Sequence, residues 1–162
     1  MLEVITDTSP IQYLHQVNLL ELLPKFYAQI IMPQAVADEL AQGLDQGINL
    51  PEPASLSWLY LRQVASSNLV TAIPNLGSGE REVLSLAITL PDSLVVLDDA
   101  LARSYAHRLN VKMTGTLGVL LKAKQLGYIG AIAPILDQLN QLNFRLSPIT
   151  RVAVLKLADE EC

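Results

Sequence analysis

The chain has little of several residue types, and each shortage excludes a class of protein. Its 162 residues include one cysteine, Cys162, so neither a disulfide framework nor a zinc site built on several cysteines can form within one chain. Aromatic residues make up 5% of the sequence against 51% for apolar residues, which predicts an aliphatic core. No apolar run approaches the roughly 20 residues that span a bilayer, and no basic segment of the signal-peptide type precedes the first apolar stretch. We therefore expect a cytoplasmic protein with no membrane partner.

The signatures of several enzyme classes are also absent. The chain has no glycine-rich phosphate loop, no G-x-S-x-G nucleophile elbow and no H-E-x-x-H zinc motif. Its two histidines, His15 and His107, lie far apart on predicted helices, which favours surface or half-buried positions over catalysis. These absences direct attention to the acidic residues.

Apolar runs alternate between strand and helix patterns, which predicts an α/β fold with a mostly parallel sheet flanked by helices. A length of 162 residues fits one domain. The predicted strands are 2–6, 27–32, 59–64, 69–72, 94–97 and 111–114. The predicted helices are two short ones within 11–25, followed by 33–42, 78–90, 99–109, 117–125, 131–142 and 150–160. Segment 44–57 is predicted to be a surface excursion.

Three acids follow predicted strands. Asp7 comes directly after the first strand, and Asp98 and Asp99 follow strand 94–97. Because ligands of open α/β sheets bind beyond the carboxyl ends of the strands, these acids lie at the edge where a site is expected. A simpler interpretation is that Asp98 caps the helix that follows, with Asp99 in its first turn facing the helix dipole, and that Asp7 caps a turn.

Two further acids are selected by helical periodicity. Glu39 borders the apolar face of helix 33–42, and Glu80 lies on the core-facing side of helix 78–90, whereas Glu82 leans toward solvent. An inward carboxylate is costly unless it has a partner. The alternatives to a functional role are a helix-dipole interaction for Glu80 and a buried basic partner for Glu39.

Four carboxylates are thus expected at one edge of the sheet, namely those of Asp7, Glu39, Glu80 and Asp99. Few basic residues lie near them in sequence, so a bound cation is the partner that we expect. Hard oxygen ligands suit Mg²⁺ or Mn²⁺, which keep several waters and then engage substrate phosphate. The sequence therefore predicts a divalent-metal site.

The charge is unevenly distributed along the chain. The net charge is −5, yet residues 100–136 contain no acid and five basic residues: Arg103, Arg108, Lys112, Lys122 and Lys124. A basic strip beside an acidic pocket suits a phosphate backbone. Ordinary solvated helix faces are the alternative interpretation.

Five segments together resemble the PIN-domain superfamily, in particular a longer bacterial and archaeal branch. They are VITDTSP at 4–10, IIMPQAVADEL at 30–40, GSGEREVLSLA at 77–87, VVLDDALAR at 95–103 and KMTGTLGVLLKAK at 112–124. The resemblance implies a PIN-like fold, similar to that of flap nucleases, with three or four acids that bind Mg²⁺ or Mn²⁺. It also implies RNA cleavage, because many PIN domains are the toxins of toxin–antitoxin pairs.

Carried onto this chain, the resemblance assigns a role to each matching position. The first three acids are Asp7, Glu39 and Glu80, and at the fourth position Asp99 is favoured as the ligand with Asp98 in support. The supporting hydroxyls are those of Ser9, Thr114 and Thr116, which can orient a carboxylate or a water.

The resulting prediction is a metal-dependent endoribonuclease that occupies residues 1–162 as a single PIN-like domain. A C-terminal helical extension from about residue 131 exceeds the compact toxins. Arg103, Lys122 and Lys124 are the expected RNA contacts, and a small antitoxin and a second copy of the chain are the expected protein partners. The alternative is a PIN-like module that binds RNA or protein without cleaving.

Overall fold

A single five-stranded sheet organises the structure. The computed structural model describes residues 2–65 and 68–160, and Cys162 lies outside this part of the chain. The strands are β1 (Glu3–Thr6), β2 (Ile30–Pro33), β3 (Leu59–Arg62), β4 (Ser93–Val96) and β5 (Lys112–Thr114). Their order across the sheet is β3-β2-β1-β4-β5, and every neighbouring pair is parallel. The predicted α/β class is confirmed, with a sheet that is parallel throughout.

The central strands contain β-branched residues, as expected for a parallel sheet that helices cover on both faces. Ile5 pairs with Ile31 on one side and with Val95 on the other, and all three are buried. Because β1 lies between β2 and β4, the carboxyl ends of these strands meet at one edge. The residue that follows β1 and the residues that follow β4 are therefore neighbours.

Helices connect the strands. They are α1 (Thr8–Gln16), α2 (Leu22–Tyr27), α3 (Gln34–Asp45), α4 (Asn68–Thr71), α5 (Ser78–Thr89), α6 (Ala100–Arg108), α7 (Thr116–Gln125), α8 (Ala133–Gln141) and α9 (Pro148–Leu157). The two short helices predicted within 11–25 are present as α1 and α2, and Asn18 turns the chain between them with a left-handed φ of 61°. Within the excursion 44–57 there is one short 3-10 turn, Pro53–Ser55.

The strand predicted at 69–72 is wrong, since this segment belongs to α4. Its carbonyl groups are satisfied locally, because the guanidinium of Arg81 donates to the carbonyl oxygens of Val70, Thr71 and Leu76 at 3.0–3.2 Å. A side chain from α5 therefore takes the place of a neighbouring strand. The side chain of Val70 is fully buried, so an apolar residue is expected at this position of a helix as well as in a strand.

The C-terminal extension packs on the same core as the sheet. Ile132, Leu136 and Leu139 are fully buried in the cluster that also contains the strands. Glu160 joins the two ends of the extension, because its carboxylate accepts the backbone N–H groups of Ile132 and Ala133 and the Nζ of Lys124. These contacts support the proposal that the extension and the sheet form one domain.

Several apolar residues of the first helices and of α8 pack in the core and not on the surface. Ile11, Leu14 and Leu23 of the first helices are fully buried, as is Leu136 of α8. These four side chains are therefore not available for a dimer interface. In the part of the chain that the structure describes, no helix has both the length and the apolar character needed to cross a membrane.

Candidate active site

A pocket of about 620 Å³ opens at the carboxyl edge of the sheet. Five acids line it: Asp7 after β1, Glu39 on α3, Glu80 on α5, and Asp98 and Asp99 between β4 and α6. Residues separated by up to 92 positions in sequence are thus brought into one cavity. Among residues 2–65 and 68–160, no lysine or arginine forms an ion pair with any of the five.

Asp7 is the most buried of these acids, with 6% of its surface exposed. Its backbone N–H donates to the carbonyl oxygen of Val96 at 3.0 Å, which extends the β1–β4 ladder and fixes its position. Burial raises the pKa of Asp7 from its ordinary value of 3.8 to about 7; a hydrogen bond from the backbone of Thr8 opposes this, and the charges of neighbouring carboxylates add to it. In the described part of the chain, no lysine or arginine forms an ion pair with Asp7 that would offset the cost of burying its charge.

Glu39 is oriented by two donors from different elements. Its Oε2 accepts the hydroxyl of Thr8, and its Oε1 accepts the backbone N–H of Gly79 at 3.0 Å. Gly79 is also needed for space, because a Cβ there would lie 2.8 Å from Oε1 of Glu39 and 3.1 Å from Oδ1 of Asp7. The absence of a side chain at residue 79 lets these two carboxylates approach each other.

Glu80 and Asp99 form a carboxyl pair. Burial raises the pKa of Glu80, and the charge of Asp99 together with a hydrogen bond between the two side chains raises it further, against a lowering by the N–H of Gly77. Asp99 also caps α6, since its Oδ2 accepts the N–H of Ala102 at 3.0 Å. Burial and the neighbouring charge of Asp99 both disfavour the ionised form of Glu80, and a bound cation would offset both.

Asp98 has a different environment. Its carboxylate accepts the hydroxyl of Ser9 at 2.9 Å and both the N–H and the hydroxyl of Thr116, at 2.7 and 2.6 Å. Three donors on two oxygens hold this side chain between α1 and α7. The geometry therefore favours Asp98 as the residue that joins the elements, and Asp99 as the more available ligand.

Comparisons with known proteins identify the family. A family model described as DUF3368, a PIN domain, matches residues 3–160. The chain belongs to the PIN domain family. A solved structure with a similar fold is a PilT N-terminus domain protein from the hyperthermophilic archaeon Sulfolobus solfataricus P2, which is 18% identical, has a TM-score of 0.51, and aligns over 76% of this chain and 93% of that one. No curated protein shows significant sequence similarity to the chain.

PIN domains are commonly nucleases and typically use divalent metals. Within the described parts of the chain, no three acidic, histidine or cysteine side chains converge tightly enough to hold one ion by themselves. Mg²⁺ is commonly held by one or two carboxylates with waters in its remaining positions, so such convergence is not required. The donor set of this PIN domain fits the ion, because it consists of carboxylates that form no ion pair with a basic side chain in the described ranges.

The predicted supporting residues divide into two groups. Ser9 and Thr116 contact Asp98 as described, whereas the Oγ1 of Thr114 faces Gly118 and lies in a neighbouring cavity. Thr8 is a further hydroxyl at the site, which the sequence analysis did not single out, and it contacts Glu39. The sequence around Asp7 does not predict the contact between Thr8 and Glu39, because that contact depends on how α3 packs.

The lysines predicted to contact RNA do not line the pocket. Lys122 lies over the rings of Tyr27 and Phe26, 4.8 and 5.0 Å from their centroids, and Lys124 pairs with Glu160 at 2.8 Å. Both occupy the last turns of α7, whose first turn is the end near the carboxyl edge. Their role in nucleic-acid binding stays a prediction, and it would require a surface away from the acids.

Arginines of the pocket region are better placed. Arg103 donates through Nη1 to the carbonyl oxygen of Leu97 at 2.8 Å, one residue before Asp98. Arg145, which the sequence interpretation missed, lines the acidic pocket from the loop between α8 and α9. The available signal was a single basic residue in the loop joining the last two predicted helices.

Glu82 was expected to lean toward solvent and does not. Its Oε1 accepts the backbone N–H of Ala35 at 2.9 Å, in the first turn of α3. A carboxylate at a helix N-terminus satisfies a free N–H and interacts favourably with the helix dipole. Glu82 therefore joins α5 to α3, whereas Glu80 on the same helix lines the pocket.

Proposed function

We propose that this PIN domain is an Mg²⁺- or Mn²⁺-dependent endoribonuclease. The observation that carries the proposal is the pocket itself, in which five carboxylates lie together and none forms an ion pair with a lysine or arginine of the described residues. Such an arrangement is unfavourable in the absence of cations and becomes favourable when a divalent cation is present.

The five acids of the pocket would have two different roles. Asp7, Glu39, Glu80 and Asp99 would hold one or two ions, directly or through waters, and Asp98 would keep α1 and α7 in register with the site. Bound divalent cations supply positive charge for the phosphate and lower the pKa of water. Hydrolysis adds water across the P–O3′ bond of RNA, which leaves a 5′-phosphate and a 3′-hydroxyl.

Cleavage of single-stranded RNA with Mn²⁺, compared with EDTA, tests the proposal. Asp7→Asn should lose most activity because the amide keeps an oxygen but no charge. The exposed acid Asp45 at the end of α3 provides the control, and Asp45→Asn should cleave like the wild type. Equal cleavage by Asp7→Asn and the wild type would exclude the pocket as the active site.

The same assay separates the enzyme from the non-catalytic alternative. A binding module would bind RNA with similar affinity in EDTA and in Mn²⁺, and it would yield no cleavage product in either condition. All four predicted acids are present at the pocket, which supports the enzyme. A role as the toxin of a toxin–antitoxin pair is proposed on family grounds, and rescue of growth by a neighbouring small open reading frame would test it.

The homodimer remains a prediction, and the exposed apolar residues of α9 form a candidate interface for it. Ile149 is 84% exposed, and Val152 and Leu157 on the same helix are also exposed. Exposed aliphatic side chains on one helix are a common feature of protein interfaces. Light scattering at micromolar concentration should give a dimer mass, and a monomer mass would contradict the prediction.

A further inference from the structure

A second cavity, of about 350 Å³, adjoins the acidic pocket. It lies beside α6, β5 and the start of α7, and it shares three wall residues with the acidic pocket, namely Asp98, Phe144 and Arg145. Its charge is different, because Arg103 and Arg145 line it and Asp98 is its one acid. The oxygens of Asp98 already accept the donors of Ser9 and Thr116, so they compete little for the arginines.

Arg145 is held in place by its backbone and not by its side chain. The preceding residue, Phe144, is buried, packs edge-on against Tyr13 with 4.9 Å between ring centroids, and donates its N–H to the carbonyl oxygen of Leu139. Asn143 turns the chain with a left-handed φ of 66°. Within residues 2–65 and 68–160, the exposed side chain of Arg145 has no ion-pair or hydrogen-bond partner.

Arg103 approaches the same cavity from α6. One of its N–H groups is used by the carbonyl oxygen of Leu97, which orients the guanidinium. A guanidinium has five N–H donors, so further donors remain for a ligand. The hydroxyl-bearing side chains of Thr114 and Thr150 complete the polar wall. Arginine and hydroxyl donors are the groups that contact phosphate oxygens in nucleic-acid complexes.

We propose that this second cavity binds a phosphodiester of single-stranded RNA, next to the one that lies at the acids, with Arg103 and Arg145 as its charged contacts. The inference rests on the proposed nuclease function. Acids repel a phosphate backbone, so the affinity for the strand comes from positive groups beside them. Arg145 lies on the boundary between the cavities, where a strand passing from one to the other meets its guanidinium.

The proposal has a quantitative consequence for RNA binding. Phosphate contacts hold the backbone without reading bases, so the effect of losing Arg145 should be the same for different sequences. Loss of one contact to a single strand lowers the slope of log K against log salt by about 0.7. Loss of a charged hydrogen bond at low salt should weaken binding by about tenfold or more.

The experiment measures binding of a fluorescein-labelled single-stranded RNA by anisotropy across a salt series, in the cleavage-deficient Asp7→Asn background. Arg145→Ala should show the lower affinity and the smaller slope. Arg145→Lys keeps the charge but not the planar fork, so it should retain the slope and recover only part of the affinity. The control is Arg108→Ala, since Arg108 is exposed at the far end of α6 and lies over Tyr105, outside both cavities.

Each outcome of this experiment supports or overturns the second cavity, the nuclease proposal, or both. Unchanged affinity and slope in Arg145→Ala, while the wild type cleaves RNA with Mn²⁺, would overturn the second cavity and leave the nuclease proposal intact. An equal loss in Arg108→Ala would also overturn it, because the effect would then reflect net charge alone. Binding that depends on Arg145, without cleavage under any metal condition, would support the cavity and overturn the nuclease proposal. Because Arg145 is exposed, all variants should melt within the range of the control.

Discussion

The pKa of Asp7 makes the stability of the metal-free protein depend on pH in a defined direction. Folding raises this pKa from 3.8 to about 7, so between these values the folded state binds a proton that the unfolded state does not. The contribution of Asp7 to the free energy of unfolding is therefore fully present below the unfolded pKa of 3.8 and is lost as pH rises to about 7. Each pH unit within the interval costs about 1.4 kcal/mol, and the full interval costs about 4 kcal/mol.

Asp7→Asn removes the titrating group and isolates its contribution. Any change in packing or hydrogen bonding offsets the variant equally at every pH, so the informative quantity is how its stability relative to the wild type changes with pH. Between pH 5 and pH 8, Asp7→Asn should gain about 3 kcal/mol on the wild type. Glu80, whose pKa is also raised, contributes in the same direction in both proteins.

Urea unfolding in EDTA at several pH values measures this difference, with Asp45→Asn as the exposed control. Addition of Mn²⁺ at pH 8 should shift the stability difference toward the wild type, because an ion at one hundred times its Kd stabilises the wild type by about 2.7 kcal/mol. A stability difference between wild type and Asp7→Asn that is the same at pH 5 and pH 8 would refute the reasoning. So would an equal Mn²⁺ effect in both proteins.

Three further predictions concern the neighbours of Asp7. Gly79→Ala should separate Asp7 from Glu39, destabilise the protein by about 1–3 kcal/mol and reduce the Mn²⁺-induced shift in Tm, whereas Gly130→Ala, where a Cβ meets nothing within 4 Å, should do neither. Glu80→Gln should strongly reduce Mn²⁺-dependent RNA cleavage, and Glu82→Gln should instead cost about 0.5–1 kcal/mol of stability by weakening its charged contact with α3; the reverse pattern would contradict the assignment. Asp98→Asn should lower Tm with and without Mn²⁺ alike, because its donors are Ser9 and Thr116; a loss confined to the Mn²⁺ effect would make Asp98 a direct ligand.

Local patterns in the sequence carried much of the fold. The apolar runs of β1, β2 and β4 predicted buried strands, and the position of Asp7 after β1 placed it at the carboxyl edge. Helical periodicity placed Glu80 on the side of α5 that carries Val83 and Leu84, both of which are fully buried. These predictions succeed because strand alternation and the helical turn are properties of a few consecutive residues.

Other features were decided by tertiary packing. Nothing near Asp98 and Asp99 distinguishes the two, and their separate roles come from Ser9 and Thr116, which lie 89 and 18 positions away. Glu82 shares its helix with Glu80, yet the start of α3 gives it a partner that its own helix cannot show.

The positions of the basic residues were also decided by tertiary packing. Charge counting along the chain selected Lys122 and Lys124, whereas packing places them beside Tyr27 and Glu160 and brings Arg145 to the pocket. By itself, the sequence indicated the family, the order of the elements apart from α4, and the positions of four acids at the edge of the sheet. Only the tertiary structure decided the partner of each side chain. A hydrogen bond or an ion pair acts over about 3–4 Å in space, whatever the separation of its two residues along the chain.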